Sequence, residues 1–414
     1  MRKITPLRLF HCDVLVFDTI GAGWLHHCLP DDCNVATIDI RDRMPLLLDF
    51  GFVYLLFKHL LLGERITPGR LSYAWLTALL DRIGPRVILT CADNNPLLAR
   101  YAQTHLDVPV IFLQNALRDT VGSMTPGLHL PLYLSLGKVE ANLFQSIGVQ
   151  CQKYTPTGSV KLGLSITRAK ESSNSSFDLC FISHYRPELF AKDMPKHYPL
   201  IEKNQRILFK HISDYAFARG LSLAVISKTR EPRLQLAEEE YFSTIAGTVP
   251  FKFIRADKGA HELDSYLAGL ASGLVIHPAS TLGFELFAAG KKVLFGASAD
   301  STLIQQWGIQ HYFDALPELV KLESNTSDAF VKRCDQIRAM PDIQYLEMTQ
   351  TAATTIVSMP ELEFPHETVK QLINRLLCVA IWYVFVSTYL FATAILRHTL
   401  FFAEFLCVFE GFLR

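Results

Sequence analysis

This sequence has no net charge, because 40 lysines and arginines balance 40 aspartates and glutamates. A chain without a basic excess offers no general field to nucleic acid, so no nucleic-acid partner is expected. Metal-site spacing is missing too. The nine cysteines form no CxxC pair, Cys28 and Cys33 have no second pair to match them, and HExxH does not occur. Cysteines scattered in this way read as reduced, mostly buried thiols of a cytosolic protein. Neither a GxSxG elbow nor a complete phosphate-binding P-loop is present, which removes two common catalytic plans. The amino-terminal segment begins basic, but Asp13 and Asp18 interrupt its apolar run, unlike a signal peptide. Long uninterrupted apolar runs are lacking before residue 376. Between 46 and 62, Asp49 and Lys58 break the run, so a buried helix is expected there rather than a membrane span.

What remains is a long alternation of short apolar runs with helical patterns. Val14–Phe17, Val35–Ile40, Val87–Cys91, Val108–Leu113 and Tyr133–Leu136 are strand candidates in the first half. Continuous apolar runs, rather than alternating ones, mark parallel strands covered on both faces. After a polar stretch the pattern restarts, with strands expected at Leu179–Ile182, Leu223–Ser227, Phe251–Ile254, Leu274–Ile276 and Lys292–Phe295. Helices are expected between most of these, for example over 199–219 and 283–289. Such βαβ series give open, doubly wound sheets, and two in succession enclose a cleft at the carboxyl ends of their strands. The expected fold is therefore α/β, with two Rossmann-like domains facing a cleft and a hydrophobic helical segment at the C-terminal end. The expected boundaries are a first domain over 1–168, a linker over 169–176, a second domain over 177–345, a helical return over 346–375, and an apolar tail over 376–414.

That tail begins with a charge-free run, 376–396, long enough to cross a hydrocarbon core and bracketed by Arg375 and Arg397. Packing as a core helix is the other reading of the same run. Phe401, Phe402, Phe405, Leu406, Phe409, Phe412 and Leu413 then share one helical face, as in an interfacial helix. Together they place the chain on the cytoplasmic side of the inner membrane, anchored or associated through residues 376–414.

The chemistry concentrates where the strand ending at Ile276 meets His277-Pro278-Ala279-Ser280-Thr281-Leu282-Gly283-Phe284-Glu285. Ser280 or Thr281 caps a helix that should end at Gly290, and free amides at its start attract phosphate. Glu285 stands one turn into that helix, placed to accept hydrogen bonds from ribose hydroxyls, and His277 lies directly before the turn. A plain helix cap followed by a solvated glutamate would use the same residues. Lys228 and Arg230 follow the strand at 223–227, where they could neutralise a leaving diphosphate without a metal. Arg186 and His184 follow the strand at 179–182 and point to the same cleft. Tyr266 and His261 are candidates for a base pocket. In the first half, Asp93-Asn94-Asn95-Pro96 is turn chemistry in its own right, and Arg118 with Asp119 could be a surface ion pair. Thr19-Ile20-Gly21-Ala22-Gly23 has the look of a truncated glycine-rich loop without its third glycine.

The segment STLGFELFAAGKKVLF, from Ser280 to Phe295, resembles the donor-site segment of GT-B glycosyltransferases and their relatives. Among these are the bacterial surface-carbohydrate and O-antigen biosynthesis proteins, with the capsule and glycerophosphate-polymer transferases more distant. The resemblance implies that Ser280, Thr281 and Gly283 form the turn that holds a donor diphosphate, and that Glu285 binds ribose. Asp93, Asn94 and Asn95, and Gln114 and Asn115 with Arg118, look like the acceptor-side loops of those proteins. Gln114-Asn115 stands where relatives often have Gln-His-Gly, so the histidine of that position is absent here. Thr157-Gly158-Ser159-Val160-Lys161 resembles the strand end that closes their first domain. The implied activity is metal-independent glycosyl transfer in surface-polysaccharide synthesis, from a nucleotide-sugar to a lipid-linked or glycan acceptor, with no cofactor. No catalytic residue is singled out; Asp93, Asn95, Asn115 and His184 are the candidates. A sugar-nucleotide 2-epimerase and a non-catalytic polysaccharide assembly protein on the same scaffold are the alternatives.

Overall fold

The computed structural model describes residues 3–7, 10–19, 21–40, 43–47, 49–61, 67–171, 176–187, 195–255, 263–358 and 369–377. Its strands are β1 (Lys3–Leu7), β2 (Val14–Phe17), β3 (Val35–Ile38), β4 (Arg43–Leu47), β5 (Val87–Thr90), β6 (Val110–Leu113), β7 (His129–Ser135) and β8 (Gln150–Pro156) in the first half. The second half supplies β9 (Phe177–Ile182), β10 (Leu223–Ile226), β11 (Lys252–Ile254), β12 (Ser272–His277) and β13 (Val293–Phe295). They form a six-stranded sheet of order β3-β2-β5-β6-β7-β8 and a five-stranded sheet of order β11-β10-β9-β12-β13. Every pairing in both is parallel; Leu15, for example, stands opposite Ala36 on one side and Ile88 on the other.

In each sheet the strand order reverses once, beside β2 in the first and beside β9 in the second. Reversal points open a crevice beyond the carboxyl ends of the strands, where ligands of such sheets bind. The apolar runs seen in sequence fill both faces. Leu15 and Phe17 join one core cluster while Val14 and Val16 join another on the opposite face. Leu179–Ile182, Leu223–Ile226 and Leu274–Ile276 build a third cluster around the second sheet. The Asp342–Ile356 helix leads the chain back to the first half. There the Lys138 amide donates to Thr355 O at 2.9 Å and the Ser358 amide to Leu136 O at 2.7 Å. Gly137 is required at this junction, because a Cβ would lie 2.1 Å from Ile356 O. Residues 369–377 are helical, and Val369, Ile373 and Leu377 pack on the first sheet with Trp24 and Leu25.

The structure corrects several expectations. The 46–62 run is a helix, Phe50–Leu61, but Phe52 is its one fully buried side chain and much of the rest faces outward. It is preceded by β4, which pairs with β1 as a separate two-stranded sheet. The edge strand β8 has no apolar run to announce it, and it ends at Pro156, directly before the Thr157–Lys161 segment whose resemblance implied a strand end. The Val160–Glu171 helix runs into the segment read as linker, and residues 172–175 lie outside the described residues. A boundary between 345 and 346 would cut the Asp342–Ile356 helix. Among the described residues no helix is long and apolar enough to cross a membrane. The apolar tail from residue 378 onward, and His261, lie outside the described residues.

Candidate functional site

The cleft is built at the reversal point of the second sheet. β9 delivers Ser183 and His184 there, and its neighbour β12 delivers the His277–Ser280 turn. Ser280, extended at φ −98° and ψ 139°, is the N-cap of the Thr281–Ala288 helix and makes no side-chain cap bond. Its hydroxyl is therefore not spent on the amides of its own helix, and those of Thr281 and Leu282 have no intrahelical acceptor. A helix start of this kind carries partial positive charge and binds phosphate readily.

Below the turn lies His277, fully buried. Its Nδ1 accepts the Ser280 amide at 2.8 Å, which puts the imidazole proton on Nε2. Burial pushes its pKa down to about 3, so the ring is neutral at physiological pH. Nε2 has no hydrogen-bond partner and packs against Gly283, where a Cβ would come within 2.0 Å of it. His277 therefore shapes the turn from behind rather than facing a ligand. Gly283 likewise serves by lacking a side chain.

A cleft of about 240 Å³ opens above this turn, lined by Ser280, Thr281, Glu285 and Tyr266 together with Lys228, Arg230, Lys161 and Asn115. Lys228 is exposed, but into the cleft. Desolvation first, then Arg186, push its ammonium down to about 8. The loop that carries it is held by Glu238, fully buried on the next helix. Glu238 accepts the Lys228 amide at 2.8 Å, the Thr229 amide at 3.1 Å, and the hydroxyls of Ser227 and Thr229 at 2.8 and 2.7 Å. This carboxylate fixes the loop, so Lys228 and Arg230 are aimed by the fold. Glu285 does line the cleft, but both its oxygens already have partners: the Ser159 hydroxyl from the first half, and Tyr266 at 2.7 Å. Burial raises its pKa, and these two hydroxyls oppose the rise.

A side branch of about 160 Å³ shares Ala116, Lys228 and Thr281 with the main cleft and adds Asp119, His184, Arg186, Trp307 and Tyr312. The His184 ring meets Trp307 edge to face at 5.3 Å. Its Nε2 has no partner, and burial, then Lys228 and Arg186, keep the ring neutral. Arg186 is exposed and donates to the Tyr198 hydroxyl at 3.1 Å. A wider hollow of about 530 Å³ lies at the opposite, amino-terminal edge of the second sheet. There Asp178 is bonded to Ser222, and Lys292 to Met340 O and Asp342.

The first half uses its polar residues differently. Asp93 is buried, gripped by the Arg118 guanidinium through both oxygens and by the Tyr133 hydroxyl at 2.7 Å. Burial works against the Arg118 charge, but Asp93 and Tyr133 outweigh it and hold its pKa raised. Arg118 thus pairs with Asp93 rather than with Asp119, which instead caps the amides of Val121, Gly122 and Ser123. Gln114 is buried as well; it accepts the Leu136 amide at 2.8 Å and donates to Glu140 at 2.5 Å. Asn95 caps the Pro96–Thr104 helix, and Asn94 bonds Ser123 O at the surface. Of the first-half candidates, Asn115 alone lines the cleft; Asp93, Asn95, Gln114 and Arg118 are internal or capping residues.

Cross-links tie the two halves at the cleft. Thr281 Oγ1 accepts the Leu117 amide at 3.2 Å, and Tyr312 accepts the Arg118 amide at 2.9 Å while donating to Glu140 at 2.7 Å. Glu238 and Trp307 carry no mark in the sequence, while Asp119 and Lys161 stand in segments that resemble the family without a binding role being assigned to them. Lys161 closes the Thr157–Lys161 segment and lines the cleft. Among the described residues no group of three or more His, Cys, Asp or Glu side chains could hold a metal ion.

Residues 144–319 match a family profile described as "putative O-antigen biosynthesis protein". The whole fold is similar to solved structures. One is a UDP-GlcNAc 2-epimerase from Methanocaldococcus jannaschii in complex with UDP-GlcNAc and UDP, at 10% identity and TM-score 0.51, covering 89% of this chain and 100% of that one. Another is S. aureus MnaA with UDP, at 12% identity and TM-score 0.52, covering 89% and 95%. The wall teichoic acid polymerase TagF matches at 10% identity and TM-score 0.52, covering 89% and 90%. At such identities the likeness is one of fold, and it is the GT-B-like architecture of paired Rossmann-type sheets. No curated protein matches the sequence.

Proposed function

We propose that this chain is a metal-independent glycosyltransferase of surface-polysaccharide biosynthesis. It takes a nucleotide-sugar as donor and a lipid-linked acceptor at the cytoplasmic face of a membrane. One observation carries the reading: a helix start with an unengaged Ser280 hydroxyl faces Lys228, Arg230 and Lys161 across one cleft. Three cations and a helix dipole in a small cleft suit a nucleoside diphosphate far better than a neutral ligand. In the reaction, an acceptor hydroxyl oxygen bonds to the anomeric carbon and the bond from that carbon to the diphosphate oxygen breaks. The diphosphate leaves with the electron pair, and Lys228 and Arg230 balance its charge. The acceptor proton passes to a base in the side branch, where neutral His184 and Asp119 stand. Trp307 offers an aromatic wall to the sugar.

An epimerase on the same fold would need carboxyl groups free to face the sugar ring. Asp93 and Glu285 are each engaged through both oxygens, and Glu140 is buried beneath Tyr312. That leaves Asp119 as the one carboxylate among the described residues lining the side branch, which favours transfer over an epimerisation that needs several. Calorimetry with UDP and other nucleoside diphosphates tests the donor site, with binding expected for at least one of them. Membranes carrying the protein and labelled nucleotide-sugars test the reaction. Label in lipid supports transfer, a new free nucleotide-sugar supports the epimerase, and binding without turnover supports an assembly protein. If no nucleoside diphosphate binds, the reading fails.

A further inference from the structure

The Phe50–Leu61 helix presents an apolar face that nothing among the described residues covers. Phe50 is 95% exposed, Tyr54 68%, Phe57 60% and Leu61 81%, with Val53 beside them. At 100° per residue these five fall within an arc of about 100°, on the side of the helix away from buried Phe52. No polar residue interrupts the arc. Single exposed hydrophobic residues are ordinary, but a stripe with three aromatic rings on a 12-residue helix marks an interaction surface.

We propose that this face docks on a lipid surface bearing anionic headgroups. Charge selects the partner. The helix contains no acidic residue, Lys58 is the exposed charge at the edge of the stripe, and the nearest carboxylates are taken. Asp49 pairs with Arg82 at 2.9 Å and Asp81 with His59 at 2.9 Å. An aromatic-bearing apolar stripe with Lys58 at its edge and no carboxylate on the helix can enter the boundary between headgroups and acyl chains. Burial of apolar area is the main drive, and the lysine adds attraction to anionic lipid.

Position gives the surface its use. The Asp49–Arg82 pair joins the start of this helix to the end of the Pro68–Ile83 helix, so the two run antiparallel. The second helix feeds β5 at Val87, so its own start, and Leu61 with it, lie toward the carboxyl edge of the first sheet. That edge borders the cleft. Docking there brings the cleft to the lipid surface and raises the effective concentration of a lipid-linked acceptor. Only this last step rests on the proposed glycosyl transfer; the docking stands on the helix itself.

The test uses the full chain with vesicles of phosphatidylethanolamine and phosphatidylglycerol. The double substitution Tyr54→Glu, Phe57→Glu should lower vesicle partitioning at least about tenfold while leaving thermal stability and UDP affinity unchanged. Because the apolar tail can hold the chain to vesicles by itself, Phe57→Trp supplies a second readout. Brominated lipids should quench the introduced indole, measured as the difference from the parent chain. An indole left unquenched while the protein sediments with vesicles overturns the proposal. So does a dimer that dissociates in the double variant, which would assign the stripe to a second copy. Absence of UDP binding would defeat the transferase reading and leave the vesicle result standing.

Discussion

Beyond the carboxyl end of β5, Asp93 is closed in by Arg118 and Tyr133; beyond the carboxyl end of β10, Lys228 opens into the cleft. The two sheets follow one plan, in which β5 takes the place that β12 has in the second sheet and β10 the place that β3 has in the first. The two charged residues therefore stand at strand ends on opposite sides of the reversal point. The difference lies in how each half satisfies its charges. The first half pairs them inwardly, through Asp93–Arg118 and the Glu140–Gln114–Tyr312 bonds. The second uses one buried carboxylate, Glu238, to hold backbone and hydroxyl groups, and leaves the lysine of that loop facing the cleft. Charge at a strand end is therefore not a sign of function in itself; its partners decide.

The largest effect should come from breaking the inward pairing. Asp93→Ala strands a buried guanidinium and should cost about 3–5 kcal/mol of stability, measured by urea denaturation. At temperatures where the variant is folded, UDP affinity should stay within twofold. A variant of normal stability that no longer binds UDP would reverse the comparison and return Asp93 to the cleft. Next comes Gly283→Ala, which acts on the turn. The added carbon meets His277, itself packed against Phe284 and Phe295, so about 1–3 kcal/mol of strain is expected. Unlike the Asp93 change, it should also weaken UDP at least about tenfold, by displacing the Ser280 turn. Calorimetry beside a melting curve separates the two losses, and equal affinity with a lowered melting temperature would detach the turn from phosphate.

How much of this was legible in sequence follows the same divide. Strands such as Val14–Phe17 and Leu274–Ile276 were readable because a parallel sheet covered on both faces demands unbroken apolar runs. β1 and β4 were not, since Pro6 and Pro45 interrupt them, and β8 is a polar edge strand, QCQKYTP. The Ser280–Thr281 turn was readable because strand, turn, cap and helix follow within a few residues. Asp93 and Gln114 were misplaced because their partners come 25 and 26 residues away along the chain, beyond the reach of any local pattern. The Phe50–Leu61 helix shows a third limit. A segment apolar on most of its faces does not say which one the fold will bury.

Lys228→Met isolates the second half. It removes one cation from the cleft and no carboxylate partner, so a loss of about tenfold in UDP affinity is expected, close to 1.4 kcal/mol, with stability unchanged or raised. The smallest effect is its pH dependence, and it has a definite sign. The free protein holds Lys228 near 8, below its ordinary 10.5, chiefly through desolvation. A bound diphosphate favours the protonated form, so above pH 8 binding must first take up a proton. UDP affinity should therefore be level below pH 8 and fall as pH rises past it. Folding responds in the other direction: between 8 and 10.5 the unfolded chain binds more protons, so the Lys228 contribution to stability increases with pH. Lys228→Arg should keep the affinity and flatten both profiles, because a guanidinium stays charged throughout. Calorimetry between pH 7 and 9.5 decides it. A parent profile as flat as that of the arginine variant would take Lys228 away from the phosphate and leave Arg230 and Lys161 to carry it.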